Sequence, residues 1–155
     1  RKEKHKKRKR SLSIMELKEW IIEFMKNKDL LQKKIVEIKN LDKSVEIQYK
    51  DKKHVFFIHE DVNFTEIADI LEQSNKDNTL HVSIVCPNKR SNLNTLLEHW
   101  NRIKDFVRFS MYFVNVNSLT EKKWVIHPHV HHKISDPASL KLGLETMFTT
   151  VQEMA

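Results

Sequence analysis

The sequence predicts an α/β domain with a single mixed β-sheet flanked by helices; an α+β arrangement is the alternative. Three observations lead there. Apolar residues recur at helical spacing in four stretches. They alternate, or run unbroken over a few residues, in six others. The two kinds interleave along the chain in the order α-β-β-β-α-β-α-β-β-α, the signature of strands joined by covering helices.

Each element has a local cause. Ser13 followed by Glu16 forms a capping box, and it opens a helix with Ile14, Leu17, Ile21, Phe24 and Met25 on one face. Three strands follow near Ile35–Ile38, Val45–Tyr49 and Val55–Ile58, joined by Asp/Lys-rich turns as an antiparallel meander. Val45, Ile47 and Tyr49 alternate with Glu46 and Gln48, which gives the middle strand one wet face. Asn63 and Glu66 cap a second helix carrying Phe64, Ile67, Ile70 and Leu71. Leu80–Cys86 is the next strand. A helix from Ser91 to about Phe106 places Leu93, Leu96, Leu97, Trp100 and Ile103 together. Phe109–Val114 is almost wholly apolar, as a strand covered on both faces must be. Trp124–Ile126 is a short last strand. Asp136-Pro137 caps the final helix, which buries Leu140, Leu144, Met147, Phe148 and Val151. Gly143 inside that helix costs about 1 kcal/mol relative to Ala, so a close backbone contact is expected there.

Charge divides the chain in two. The first ten residues hold eight Lys/Arg against one Glu, and this accounts for the whole net charge of +7. Residues 11–155 carry 20 cations and 20 anions. Residues 1–12 therefore read as a basic, disordered arm or linker, and residues 13–155 as one domain. Hydrophobic content of 39% with 32% charged residues fits a globular chain, and no apolar run is long enough to cross a bilayer. A charged N-terminus with no apolar stretch behind it predicts no secretory signal. The first residue is Arg, so a piece of a longer protein is also expected. The lone cysteine, Cys86, excludes an internal disulfide and suits an intracellular compartment, cytoplasmic or, in a eukaryote, nuclear. The lone glycine excludes phosphate-binding loops, dinucleotide fingerprints and nucleophile elbows, all of which need several.

Four segments carry candidate chemistry. Lys6, Lys7, Arg8, Lys9 and Arg10 suit the phosphates of a nucleic acid or another polyanion. The same run suits a nuclear address, with Ser11 as a phosphosite, or a solubilising tail. At the end of the fourth strand, Lys89 and Arg90 stand before a helix start, where open α/β sheets place ligands and helix amides receive anions. Cys86 beside them reads as a core residue. His127, His129 and His131, read as extended chain, share one face about 7 Å apart and are the candidate metal ligands. A neighbouring His81, His59 or Asp136 would complete a zinc site. Four histidines close together are otherwise expected to be solvated or paired with carboxylates.

The fourth segment is Ile35-Val36-Glu37-Ile38-Lys39. Its Glu-x-Lys on an apolar strand resembles the half-motif of the restriction-endonuclease-like nucleases, and the helix, three antiparallel strands, helix and strand resemble that family's core. The resemblance implies Mg²⁺ held by Glu37 and an upstream Asp, with Lys39 at the scissile phosphate. The chain departs from the family in placing Glu37 and Lys39 on the first strand rather than the third, with only Asp29 shortly upstream.

The leading expectation is a non-catalytic domain that binds nucleic acid or another polyanion through the arm, with Lys89 and Arg90 contributing. It has no membrane partner and no predicted cofactor. Two other classes stay open: a metal-dependent hydrolase (Mg²⁺ at Glu37 and Lys39, or Zn²⁺ at the histidines), and a protein-interaction scaffold that dimerises through a sheet edge.

Overall fold

The computed structural model describes residues 13–154. The basic run Lys6–Arg10, and with it the expectation of a disordered arm, lies outside the described residues. Helix α1 spans Ile14–Asp29, with the capping box at Ser13 and Glu16 formed in both directions. It buries Leu17, Ile21 and Met25, spaced four apart on one stripe. Strands β1 (Ile35–Asn40), β2 (Ser44–Tyr49) and β3 (Lys53–Ile58) form the antiparallel meander. A short 3₁₀ turn at Phe64–Ile67 leads into α2 (Ala68–Lys76). Then follow β4 (Leu80–Pro87), α3 (Arg90–Glu98), α4 (Trp100–Ile103), β5 (Phe109–Val114) and β6 (Lys123–Ile126). Helix α5 (Pro128–Ile134), a 3₁₀ turn at Pro137–Ser139 and α6 (Leu140–Thr149) close the chain.

The six strands make one mixed sheet in the order β1-β2-β3-β4-β5-β6. β3, β4 and β5 run parallel, and the remaining pairs are antiparallel. Two apolar layers sandwich the sheet. One gathers Val82, Ile84, Phe109, Met111 and Phe113 with Leu71, Leu93, Leu96, Leu144 and Phe148 from the helices on that side. The other gathers Val45, Ile47, Phe56, Ile58, Val85 and Tyr112 beneath α1. Every residue of β5 is buried, as its unbroken apolar run predicts. Each fully buried Leu, Ile or Phe contributes about 1.5–3 kcal/mol of transfer free energy, so the two layers hold the sheet.

Three local expectations are corrected. The helix expected over residues 91–106 turns at His99, whose φ of −101° and ψ of 7° separate α3 from α4. Its ring Nδ1 lies 2.9 Å from the Thr95 carbonyl, the acceptor its own backbone amide uses. No heavy atom beyond its own helix lies within 4 Å of a Cβ built on Gly143, so no close contact explains that glycine. The histidine run is helical rather than extended. Pro128 opens α5 at its first turn, where a missing amide costs nothing, and His127 stands outside as the cap.

Candidate functional site

The end of the sheet that carries the candidate site is set by strand direction. His54 is near the start of β3 and His81 near the start of the parallel β4, and the two are partners in register. β6 runs antiparallel to β5, so His127, one residue past its end, arrives at the same end. Tyr49, the last residue of β2, arrives there too. Alternation along the strands puts His54, His81, Ser83, Ser110 and Tyr112 on the α1 face, with Phe56 and Val85.

These side chains form a polar floor that the end of α1 leaves uncovered. The His54 ring stacks on Phe56 at 3.9 Å and lies 5.9 Å from the His81 ring. A hydrogen bond of 2.7 Å joins His54 Nε2 to Ser83 Oγ, and one of 2.5 Å joins Ser83 Oγ to Ser110 Oγ. Hydroxyls donate and accept at once, so the chain satisfies three polar groups inside the sheet. Burial, with His81, Lys52, Lys28 and His127 nearby, pushes the His54 imidazole down to about 3. Burial also lowers His81, with Lys52 and Arg108 adding to the effect. Tyr112 is pushed up to about 12, by burial and then by Tyr49. The floor is therefore uncharged at neutral pH.

The rim is cationic. The Asp29 carboxylate accepts from the Lys34 amide at 2.8 Å and the Ile35 amide at 2.9 Å, and pins the loop that leaves α1. Lys33 in that loop has a φ of 50°, a left-handed turn that swings the chain back toward β1. The loop and the helix end set Lys28, Lys33 and Lys34 along one side of a cleft of about 1180 Å³. The β2–β3 hairpin sets Lys50 and Lys52 on the other side, with Lys52 Nζ 5.1 Å above the Tyr49 ring. Asp29 and Asp51 are the carboxylates that line it. Among the described residues, no carboxylate lies within ion-pairing distance of any of these five lysines. A smaller hollow of about 220 Å³ continues the floor past Ser110, Arg108 and His127. The Arg108 guanidinium is held by the Leu80 and Ser74 carbonyls.

Of the residues singled out in the sequence, His127, His81 and Asp29 line the cleft, and the others lie elsewhere. Lys89 and Arg90 stand at the opposite, C-terminal end of β4, and both have carboxylate partners. Lys89 Nζ lies 3.4 Å from Asp61, while Arg90 Nη1 donates to both Glu145 oxygens at 2.6 Å and its guanidinium stacks on Phe148. Glu37 and Lys39 are exposed on the edge strand β1, opposite Gln48 and Glu46, and neither lines the cleft. Asp29, the upstream acid, is occupied with two backbone amides.

The helix turns His129 to the side nearly opposite His131, and His127 stands outside it as the cap with its ring at the cleft. His127 faces the cleft, His129 Nδ1 lies 2.9 Å from the Lys104 carbonyl, and His131 meets the Trp100 ring edge-on. Among the described residues, no three His, Cys, Asp or Glu side chains come together as a metal site. Cys86 is fully buried and its thiol is pushed up by burial.

Tyr49, His54, Ser83, Ser110, Tyr112 and the five lysines were not singled out in the sequence, and His81 was named there only as a third ligand for a zinc site. A signal was present: His54 and His81 each open a strand, and the starts of adjacent parallel strands meet in space. No helix among the described residues is long and apolar enough to cross a membrane. The chain matches no protein-family model, no curated protein and no solved structure, so the reading of the cleft rests on its own geometry.

Proposed function

We propose that this is a non-catalytic domain that binds nucleic acid or a related polyanion, with the lysine-rimmed cleft as the contact on the fold and the basic N-terminal segment as a second. One observation carries the reading: five lysines without carboxylate partners surround a single cleft. Among the described residues, Lys53, Lys89, Arg90 and Lys104 are paired with acids, and other lysines such as Lys26, Lys39 and Lys76 are unpaired too but do not line the cleft, so what sets the five apart is that they share it. Unpaired cations held near one another repel, and an anion at the cleft relieves that repulsion. The basic segment joins the fold at Ser13, at the far end of α1. Sixteen helical residues set the Ser13 cap about 24 Å from the cleft end of α1, the length of about seven base pairs of duplex.

Fluorescence anisotropy with labelled single-stranded and duplex DNA and RNA tests the proposal, on the full chain, the chain from Ser11 on, and each with Lys28, Lys50 and Lys52 changed to Gln. The full chain is expected to bind all four with steep salt dependence. The triple substitution is expected to weaken the binding left after truncation and to flatten its salt slope by about 2–3, at about 0.7–0.9 for each phosphate no longer neutralised. Binding that the triple substitution leaves unchanged assigns the activity to the N-terminal segment and removes the cleft from the reading. Absence of binding in every chain overturns it.

A further inference from the structure

The cleft combines two chemistries that a bare phosphate chain would not use. Its rim is cationic, and its floor is made of flat, hydrogen-bonding rings: Tyr49, His54 and His81, with Tyr112 behind them. Tyr49 ends β2 at the hairpin, lines the cleft and is only half-buried. Gln48 Nε2 fixes that hairpin by donating to the Tyr49 and Lys52 carbonyls at 2.6 and 3.1 Å. A ligand that satisfies rim and floor together has an anionic end and a flat, neutral, polar ring. At about 1180 Å³ the cleft has room for such a ring and the groups on either side of it.

We infer that the cleft is a nucleotide pocket, in which an unpaired base lies against Tyr49, His54 and His81 while its phosphates meet Lys28, Lys50 and Lys52. The inference rests on the polyanion reading above and names the substrate class of that same cleft. Bases inside a duplex are stacked and paired, so only an unpaired base can turn its ring face or its Watson–Crick edge into a recess. Base–aromatic stacking is worth about 1–3 kcal/mol per base, or about 5- to 150-fold in affinity. The neutral His81 imidazole offers a base edge one donor and one acceptor, and His54, whose Nε2 is bonded to Ser83, has Nδ1 left, with no charge to solvate on either ring. The same chemistry is available from a single strand and from a free nucleoside monophosphate.

The test uses the full chain and a 12-nucleotide single strand carrying one 2-aminopurine, alongside the matched duplex, inorganic polyphosphate and nucleoside monophosphates as competitors. The expected result is quenching of 2-aminopurine on binding, tighter binding of the single strand than of the duplex, and loss of the quenching in Tyr49→Ala with retention in Tyr49→Phe. Urea midpoints of both variants establish that each is folded. Competition by monophosphates at concentrations comparable to the strand would make a free nucleotide the ligand; competition only by strands makes it nucleic acid. Lysine-dependent binding with unchanged 2-aminopurine emission and equal competition by polyphosphate would overturn the nucleotide pocket and leave the polyanion reading standing. Failure of every probe to bind removes both.

Discussion

Trp124 Nε1 donates to Asn88 Oδ1 across 2.7 Å in a fully buried hydrogen bond that ties the last strand to the end of β4. The Asn88 side-chain amide also donates to the Phe148 carbonyl at 3.2 Å and the Val151 carbonyl at 3.0 Å, and the Asn88 backbone carbonyl accepts from the Met154 amide at 2.9 Å. One side chain thus joins β4, β6 and the C-terminal segment.

Asn88→Ala leaves the Trp124 indole N–H buried without an acceptor and two carbonyls without this donor. Each such loss costs about 1–3 kcal/mol for the group left unpaired, and the second lone pair of a carbonyl softens its share. A total loss of about 3 kcal/mol is expected from urea unfolding, with an unchanged slope. A loss below about 1 kcal/mol would mean that water replaces the amide at no cost.

The pH dependence of stability should carry the mark of His54. Its folded value, near 3, lies below the value of about 6.5 in an unfolded chain. Between those limits the unfolded state holds a proton that the native state refuses, so stability falls as pH falls below about 6.5. The slope for one site is about 1.4 kcal/mol per pH unit, with smaller contributions of the same sign from His59, His81, His127 and His131. Urea midpoints at pH 7, 6 and 5 should fall in the native chain and fall less steeply, by about one proton, in His54→Gln. Parallel curves would show that His54 accepts a proton in the folded protein.

Gly143→Ala should stabilise the protein. The glycine sits inside α6 with helical backbone and open space where a methyl would go. Alanine restricts the unfolded chain and adds no clash, for a gain of about 0.5–1 kcal/mol. Thermal unfolding reads this as a rise of a few degrees, and a fall would mean that α6 moves against its neighbours.

The fold was legible because its elements are locally over-determined. The Ser13–Glu16 box, the alternation in β2 and the unbroken run of β5 each name one structure, and strand-helix-strand order then implies parallel pairing. The site was much less legible. Its members come from the ends of α1, β2, β3, β4 and β6, and no spacing in the sequence joins Lys28 to Lys50 or His54 to His127. The rule that ligands gather at the C-terminal ends of parallel strands directed attention to Lys89 and Arg90, where Asp61 and Glu145 already supply the counter-charge. The histidine run misled for a local reason: a proline after a strand reads equally as the strand's end and as a helix's first turn.

The spatial order of the strands repeats their order along the chain. No strand has to be inserted between two that are already in place, so the sheet can be laid down from one side while the polypeptide is still being made. The α1–β1–β2–β3 unit comes first, and each later strand meets a template presented by the one before it, with loop closures kept short. A later step falls to the residues after α6, since the Met154 amide must reach Asn88 before the end of β4 is sealed. The cleft's hairpin therefore leaves the ribosome long before the residues that lock the far end.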